Sequence, residues 1–167
     1  MPRRKVNFCF APFAPLREIF AGVLVMTDNC LFCRIVSGEV PATLVYVDKN
    51  AVAFLDHRPL FHGHTLLVPR DHVETLVDLP QELIRPFFEA AQSLAQAVPF
   101  AMKAEGTFVA MNNRVSQSVP HLHVHIVPRR KKDGLKGFFW PRTKYKDDEE
   151  MEVVARKIAS ALQELSR

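Results

Sequence analysis

Long apolar runs, a cysteine framework and internal repeats are all missing from this chain. No stretch is apolar and long enough to cross a bilayer as a helix, which excludes an integral membrane protein of that kind. Three cysteines in 167 residues do not make a disulfide scaffold. No low-complexity segment interrupts the sequence either. The excess of positive charge is local. Of the net +4, Arg3, Arg4, Lys5 and Arg17 against Glu18 account for +3, so the rest of the chain is about neutral. The basic isoelectric point is therefore poor evidence for a nucleic-acid partner. With 48% hydrophobic and 24% charged residues, the length and composition suit one compact domain with a sizeable core.

Residues 1–25 read as a separate, loosely ordered extension, and residues 26–167 as a single domain. Arg3-Arg4-Lys5 before an apolar stretch has the outline of a signal peptide. Pro12, Pro15, Arg17 and Glu18 interrupt that stretch, and no A-x-A-like cleavage site stands before Met26. The remaining readings are a tail or an upstream start with the natural start at Met26. From Thr27 onward the pattern predicts strands at Thr43–Asp48, Ala51–Leu55, His64–Pro69, Thr107–Asn112 and His121–Val127. Lys49-Asn50 is the tight turn between the first two, and His72–Leu76 a short helical turn. A main helix is expected over 81–103, with Leu83, Phe87, Ala91, Leu94 and Val98 on one face and Pro86 and Pro99 kinking or trimming it. A second helix is expected over 148–165. Asp147 to Glu150 suit its N-terminus, and Met151, Val154, Ile158, Leu162 and Leu165 form its apolar stripe. The order suggests an antiparallel meander with helices against one face, an α+β layer fold.

What is present in excess is histidine in strict alternation. In Pro120-His121-Leu122-His123-Val124-His125-Ile126-Val127-Pro128, three imidazoles share one strand face while Leu122, Val124 and Ile126 face a core. At a rise of about 3.3 Å per residue, neighbouring imidazoles stand ~6.6 Å apart. Imidazole serves neutral-pH chemistry as base, nucleophile or metal ligand. The run therefore points either to a shared catalytic metal or to one nucleophilic histidine with the others binding substrate charge.

Cys30-Leu31-Phe32-Cys33 has the spacing of a metal knuckle, and also of two buried core thiols. A tetrahedral zinc site needs two further ligands, for which His72 and one member of the triad are the candidates. This favours a reducing, cytoplasmic compartment. Asp56, after Phe54-Leu55, is either a turn cap or a carboxylate for ribose hydroxyls. His57 and His62 in the same loop read as surface histidines. Arg129-Arg130-Lys131-Lys132 is either a polyphosphate attractor or a solvated charged loop.

At these residues the chain resembles the histidine triad superfamily of nucleotide hydrolases and transferases. The likeness is to the branch with three histidines, not the transferase branch with glutamine at the last position. It rests on Cys30-Leu31-Phe32-Cys33-Arg34-Ile35, Ala53-Phe54-Leu55-Asp56, Gly63-His64-Thr65-Leu66-Leu67-Val68-Pro69, Gln117-Ser118-Val119 and His121–Pro128. It implies an α+β fold with a five-stranded antiparallel sheet, a main helix and a C-terminal helix, paired into a homodimer through the main helix and a strand. It implies a nucleotide phosphohydrolase without a catalytic metal. His123 would attack the α-phosphorus of a purine nucleotide to give a nucleotidyl-histidine that water resolves. His125 and His64 would hold phosphate oxygens, Ser118 the leaving group or a non-bridging oxygen, and Gln117 would shape the loop. Asp56 would take the ribose hydroxyls, and Asn112 would stand among the substrate-binding positions. As in zinc-bearing bacterial members, Cys30, Cys33, His72 and His121 would hold one structural zinc per chain.

Two features depart from the family pattern. Asn112–Ser116 is shorter than the usual glycine-rich approach, and Arg114 within it is a candidate phosphate contact. Gly137–Arg142 would cover the site, cover a partner's site or pack as a tail. The substrate expected is a nucleoside phosphoramidate or a dinucleoside polyphosphate. The competing readings are a nucleotide-binding regulator with vestigial catalysis and a metal-dependent hydrolase using the triad as ligands.

Overall fold

The computed structural model describes residue 27 and residues 29–135 and 144–165. The readings for residues 1–25, Met26 and the 137–142 segment lie outside the described residues. The elements are α1 (Leu31–Val36), β1 (Leu44–Val47), β2 (Ala51–Leu55), β3 (Thr65–Pro69), α2 (Gln81–Ala101), β4 (Gly106–Ala110), β5 (Val124–Arg129) and α3 (Asp148–Leu165).

One five-stranded sheet has the order β1-β2-β3-β5-β4, and every neighbouring pair is antiparallel. The fold is α+β, as the alternation of strand and helix patterns predicts. It is not a simple meander. β1, β2 and β3 follow one another, then α2 carries the chain to the far edge for β4, and β5 returns between β3 and β4. The first turn is built by Asp48, whose Oδ1 accepts from the backbone N–H groups of Asn50 (2.7 Å) and Ala51 (2.6 Å).

The helices do not share one face. Ala51, Ala53, Leu67, Leu122, Val124 and Ile126 pack with Phe87, Ala91, Leu94 and Val98 of α2. Val52, Phe54, Leu66 and Val68, one residue out of phase, pack instead with Phe32, Cys33, Ile35 and Val36 of α1. The period of 2 thus places His64, Asp56, His123 and His125 on the α1 side, away from α2.

α2 runs through Pro86 and ends two residues after Pro99, so only the second proline falls near its boundary. Its buried face is the predicted one, with Ala90 added and Leu83 half-buried. The basic run after β5 is taken up at the far end of that strand from the histidines. Arg130 donates to the Met102 carbonyl at the C-cap of α2, and Lys131 N–H donates to Glu105 Oε2 at 2.6 Å. The predicted helical turn appears slightly later, as a 3₁₀ turn at Leu76–Asp78 capped by Thr75.

The chain divides into two compact units between Lys131 and Lys132. In the second unit, α3 has the predicted bounds, and Asp147 Oδ1 accepts from Glu150 N–H at its start (2.8 Å). No residue of α3 is buried, and Met151, Ile158, Leu162 and Leu165 of its apolar stripe are exposed.

Candidate active site and metal centre

The regular ladder of β5 begins at Val124, so His121 and His123 precede it and only His125 lies within it. β5 pairs with β3 through Thr65–Ile126, Leu66–His125 and Leu67–Val124 only, although β3 itself runs on to Pro69, which has no N–H for a ladder. Leu122 N–H donates instead to the Val73 carbonyl (2.6 Å), and the His121 ring to the Pro69 carbonyl (Nε2, 3.0 Å). All three histidines still lie on the α1 side. The rings of His123 and His125 are closer than the strand rise implies, 4.9 Å between centroids.

The hydrogen bonds set neighbouring rings in opposite tautomers. Nδ1 of His123 lies 2.7 Å from the His121 carbonyl oxygen, which can only accept. In the neutral ring the proton is therefore on Nδ1, which leaves the lone pair on Nε2. At His64, the Leu60 N–H donates to Nδ1 (3.2 Å), which leaves the proton on Nε2, 2.9 Å from His125 Nδ1. His125 accepts there and presents its own Nε2–H outward. Burial lowers the pKa of His64 against a smaller opposing pull from Asp56. Burial, with His123 and His64 adding to it, lowers His125 to about 4. Both are neutral at pH 7.

His64 is 3% exposed and both its ring nitrogens have partners inside the protein. Its ring nitrogens thus face Leu60 and His125 and not an open surface. Asp56 is a turn cap with one oxygen, accepting from Arg58 N–H (2.8 Å), while Oδ2 lies 3.4 Å from His64 Nδ1. Gln117 ties three segments together. Its Oε1 accepts from Arg114 N–H (2.7 Å), and its Nε2 donates to the carbonyls of Glu74 (2.7 Å) and His121 (3.3 Å). Ser118 follows it, exposed, while Asn112 turns its amide back onto the Ser116 carbonyl (3.2 Å). Arg114 lies on the metal-cluster side, in an open depression of about 300 Å³ with His72, Val73, Glu74 and Asp78. His57 and His62 are exposed, as expected.

Cys30, Cys33, His72 and His121 come together, with one ligand atom from each and all four within 4.8 Å of one another. Cys33 Sγ lies 3.3 Å from His72 Nδ1 and 3.6 Å from His121 Nδ1, and Cys30 Sγ 3.5 Å from His121 Nδ1. Zinc–sulfur bonds of about 2.3 Å and zinc–nitrogen bonds of about 2.0–2.1 Å put tetrahedral S and N neighbours roughly 3.6 Å apart, so these residues fit the ion. His121 donates its far nitrogen to Pro69, the arrangement of a metal-ligating imidazole held by an outer carbonyl. Burial lowers its pKa to about 4, which keeps Nδ1 unprotonated. Burial also pushes the Cys30 thiol up.

Sequence reasoning gave Phe32 no role. Its ring packs edge-on against His121 (5.9 Å) and His123 (5.3 Å), with Phe54 behind it (5.4 Å). The only signal was its place inside the Cys-x-x-Cys pair.

The family model for the HIT domain matches residues 37–132, more than half of the chain. Bacillus subtilis "Protein hit" is 34% identical over 140 residues, covering 81% of this chain and 95% of the relative. An adenosine 5'-monophosphoramidase of Saccharomyces cerevisiae is 37% identical, over 64% of this chain and 66% of its own. An adenylylsulfatase of Arabidopsis thaliana is 31% identical, over 66% and 57%. Among solved structures, a HIT family protein of Bacillus subtilis has a TM-score of 0.72 at 36% identity, covering 80% of this chain and 96% of that one. A zinc-bound histidine triad family protein of Mycobacterium smegmatis has a TM-score of 0.61 at 34% identity, covering 80% and 97%. The five-stranded antiparallel sheet, the clustered histidines and these likenesses have one reading: the chain belongs to the HIT domain family.

Proposed function

We propose that this chain is a three-histidine HIT hydrolase that cleaves at the α-phosphate of a nucleoside phosphoramidate or dinucleoside polyphosphate. The observation that carries the reading is the pair of opposite tautomers at His123 and His125. One ring offers a lone pair and its neighbour a proton, the two things an in-line displacement at phosphorus needs. His123 Nε2 attacks the α-phosphorus, the bond to the leaving amine or phosphate breaks, and a nucleotidyl-histidine forms. His125 Nε2–H bonds to a phosphoryl oxygen and stabilises the charge gathering there. Water then displaces His123 from the phosphorus and releases the nucleoside monophosphate.

In this reading Ser118 meets the leaving group or a phosphoryl oxygen, Asp56 Oδ2 takes ribose hydroxyls, and Gln117 holds the loop. A zinc ion on Cys30, Cys33, His72 and His121 would supply only a structural tie between the knuckle and the sheet, since closed four-ligand sites have no open position for substrate. The yeast and plant relatives, named for a phosphoramidase and a sulfatase acting on adenosine 5'-phosphate compounds, support an adenosine nucleotide as substrate. Among the described residues no helix is long and apolar enough to cross a membrane. Reduced Cys30 and Cys33 accord with a cytoplasmic setting. A homodimer accords with β4 being a sheet edge that exposes Val109, and with Phe88 and Phe100 exposed on α2.

A substrate panel of adenosine phosphoramidates and diadenosine polyphosphates, with His123→Ala as the blank, tests the reading. Turnover by the native chain alone supports it. Saturable binding without turnover would favour a nucleotide-binding regulator. Equal loss in all three triad His→Ala variants, together with abolition by chelator, would favour metal-dependent hydrolysis.

A further inference from the structure

We infer that His121 is a positioning residue for His123, so that metal in the cysteine–histidine cluster fixes the tautomer and aim of the neighbouring imidazole. The inference rests on the proposed role of His123 and deepens it.

His121 has two duties, one for its side chain and one for its backbone. The side chain of His121 points Nδ1 at Cys30 and Cys33, and its Nε2–H is held by the Pro69 carbonyl. Its backbone carbonyl accepts from His123 Nδ1–H at 2.7 Å and from Gln117 Nε2–H at 3.3 Å. The flanking peptides are held too, His121 N–H by Val119 (2.8 Å) and Leu122 N–H by Val73 (2.6 Å). A ring fixed at both nitrogens, on a backbone fixed at both sides, leaves the carbonyl one direction. That carbonyl in turn decides which nitrogen of His123 keeps its proton.

A second link runs beside the first. Phe32 lies between the two cysteines, and its ring edges against both His121 and His123. Cys30 and Cys33, if they held a metal, would brace the start of α1, and with it the ring that packs on His123. Nδ1 of His121 and the two sulfurs would be released together on its removal, so both supports of His123 would loosen at once.

The test compares the full chain with zinc bound and after its removal by chelator, with circular dichroism to follow the fold. Proton–nitrogen correlation spectra of the His123 ring should show the Nδ1–H tautomer with zinc and a tautomer mixture without it. The single-turnover rate on an adenosine phosphoramidate should fall about 10- to 100-fold while AMP affinity changes less than about threefold, and zinc should restore the rate. An unchanged ring spectrum and rate would overturn the inference. So would parallel loss of rate, AMP affinity and circular dichroism, which would leave the cluster as a staple only. Phe32→Leu keeps all four ligands and covers the case of an unstable zinc-free chain. It should retain zinc, show the mixed tautomer and react more slowly, and a native spectrum and rate would count against the second link. A zinc-loaded chain that turns over no nucleotide would sink the functional reading, and the ring spectrum would still decide this one.

Discussion

His64 and His125 are 61 positions apart in the chain, yet Nε2 of one lies 2.9 Å from Nδ1 of the other. Residues just before β3 and inside β5 meet because the two strands are neighbours, with Leu66 paired to His125. The contact makes His64 a tautomer lock, since it occupies the nitrogen of His125 that faces the protein and leaves Nε2–H for a ligand. His64→Phe should lower kcat by about 100-fold, the scale of losing one charge-stabilising donor. His64→Gln, whose amide N–H can still donate to His125, should recover part of it. Equal loss in both variants would argue that only packing matters there.

The pH dependence of stability has a direction. In the unfolded chain His125 takes up a proton below its ordinary 6.5, whereas burial in the fold delays that to about 4. Between those values the unfolded state binds more protons, so stability falls as pH is lowered through the window and is unaffected by this group above it. Thermal melts from pH 7.5 to 4.5 should show a shallower decline for His125→Asn than for the native chain. Identical slopes would contradict the assignment.

Metal analysis of protein purified without chelator should find about one zinc per chain, as a closed Cys₂His₂ site requires. Cys33→Ser should lose most of that zinc and melt at a markedly lower temperature. Zinc-free native protein with an unaltered melting curve in the variant would make the two thiols plain core residues.

Gly63 adopts φ +93°, and an added Cβ would lie 2.6 Å from Cγ of Met102. Met102 can move, but the backbone conformation remains strained for any L side chain. Gly63→Ala should cost about 1–2 kcal/mol in chemical denaturation. It should also lower activity by displacing His64 next in the chain. A neutral effect on both would show that the turn relaxes freely.

Much of the architecture was legible in the residues. Strand-like runs bounded by turn residues marked all five strands, with β2 and β3 as the buried apolar runs, and helical spacing found α2 and α3. The insertion of β5 between β3 and β4 was not legible, since nothing in either strand's pattern names its neighbour. The start of β5 was read three residues early, because alternation continues through His121 and His123 while pairing with β3 stops at Leu67–Val124. The metal cluster was found through cysteine spacing and family likeness together. The proposed partition of His121, His123 and His125 into ligand, lone-pair donor and proton donor rests on contacts with partners 2 to 91 residues away. The run Arg129–Lys132 was open between a polyphosphate attractor and a solvated charged loop, and Arg130 and Lys131 contact Met102 at the end of α2 and Glu105 just before β4, which only the fold brings near.

The central claim is that His123 Nε2 becomes bonded to phosphorus. Rapid mixing of the native chain with an adenosine phosphoramidate, quenching under conditions that preserve phosphorus–nitrogen bonds, and peptide mass spectrometry test it directly. The account predicts a transient adenylyl group on His123, absent from His123→Ala, which still binds AMP. Near-native kcat in His123→Ala, or turnover with the label on no histidine at all, would contradict it.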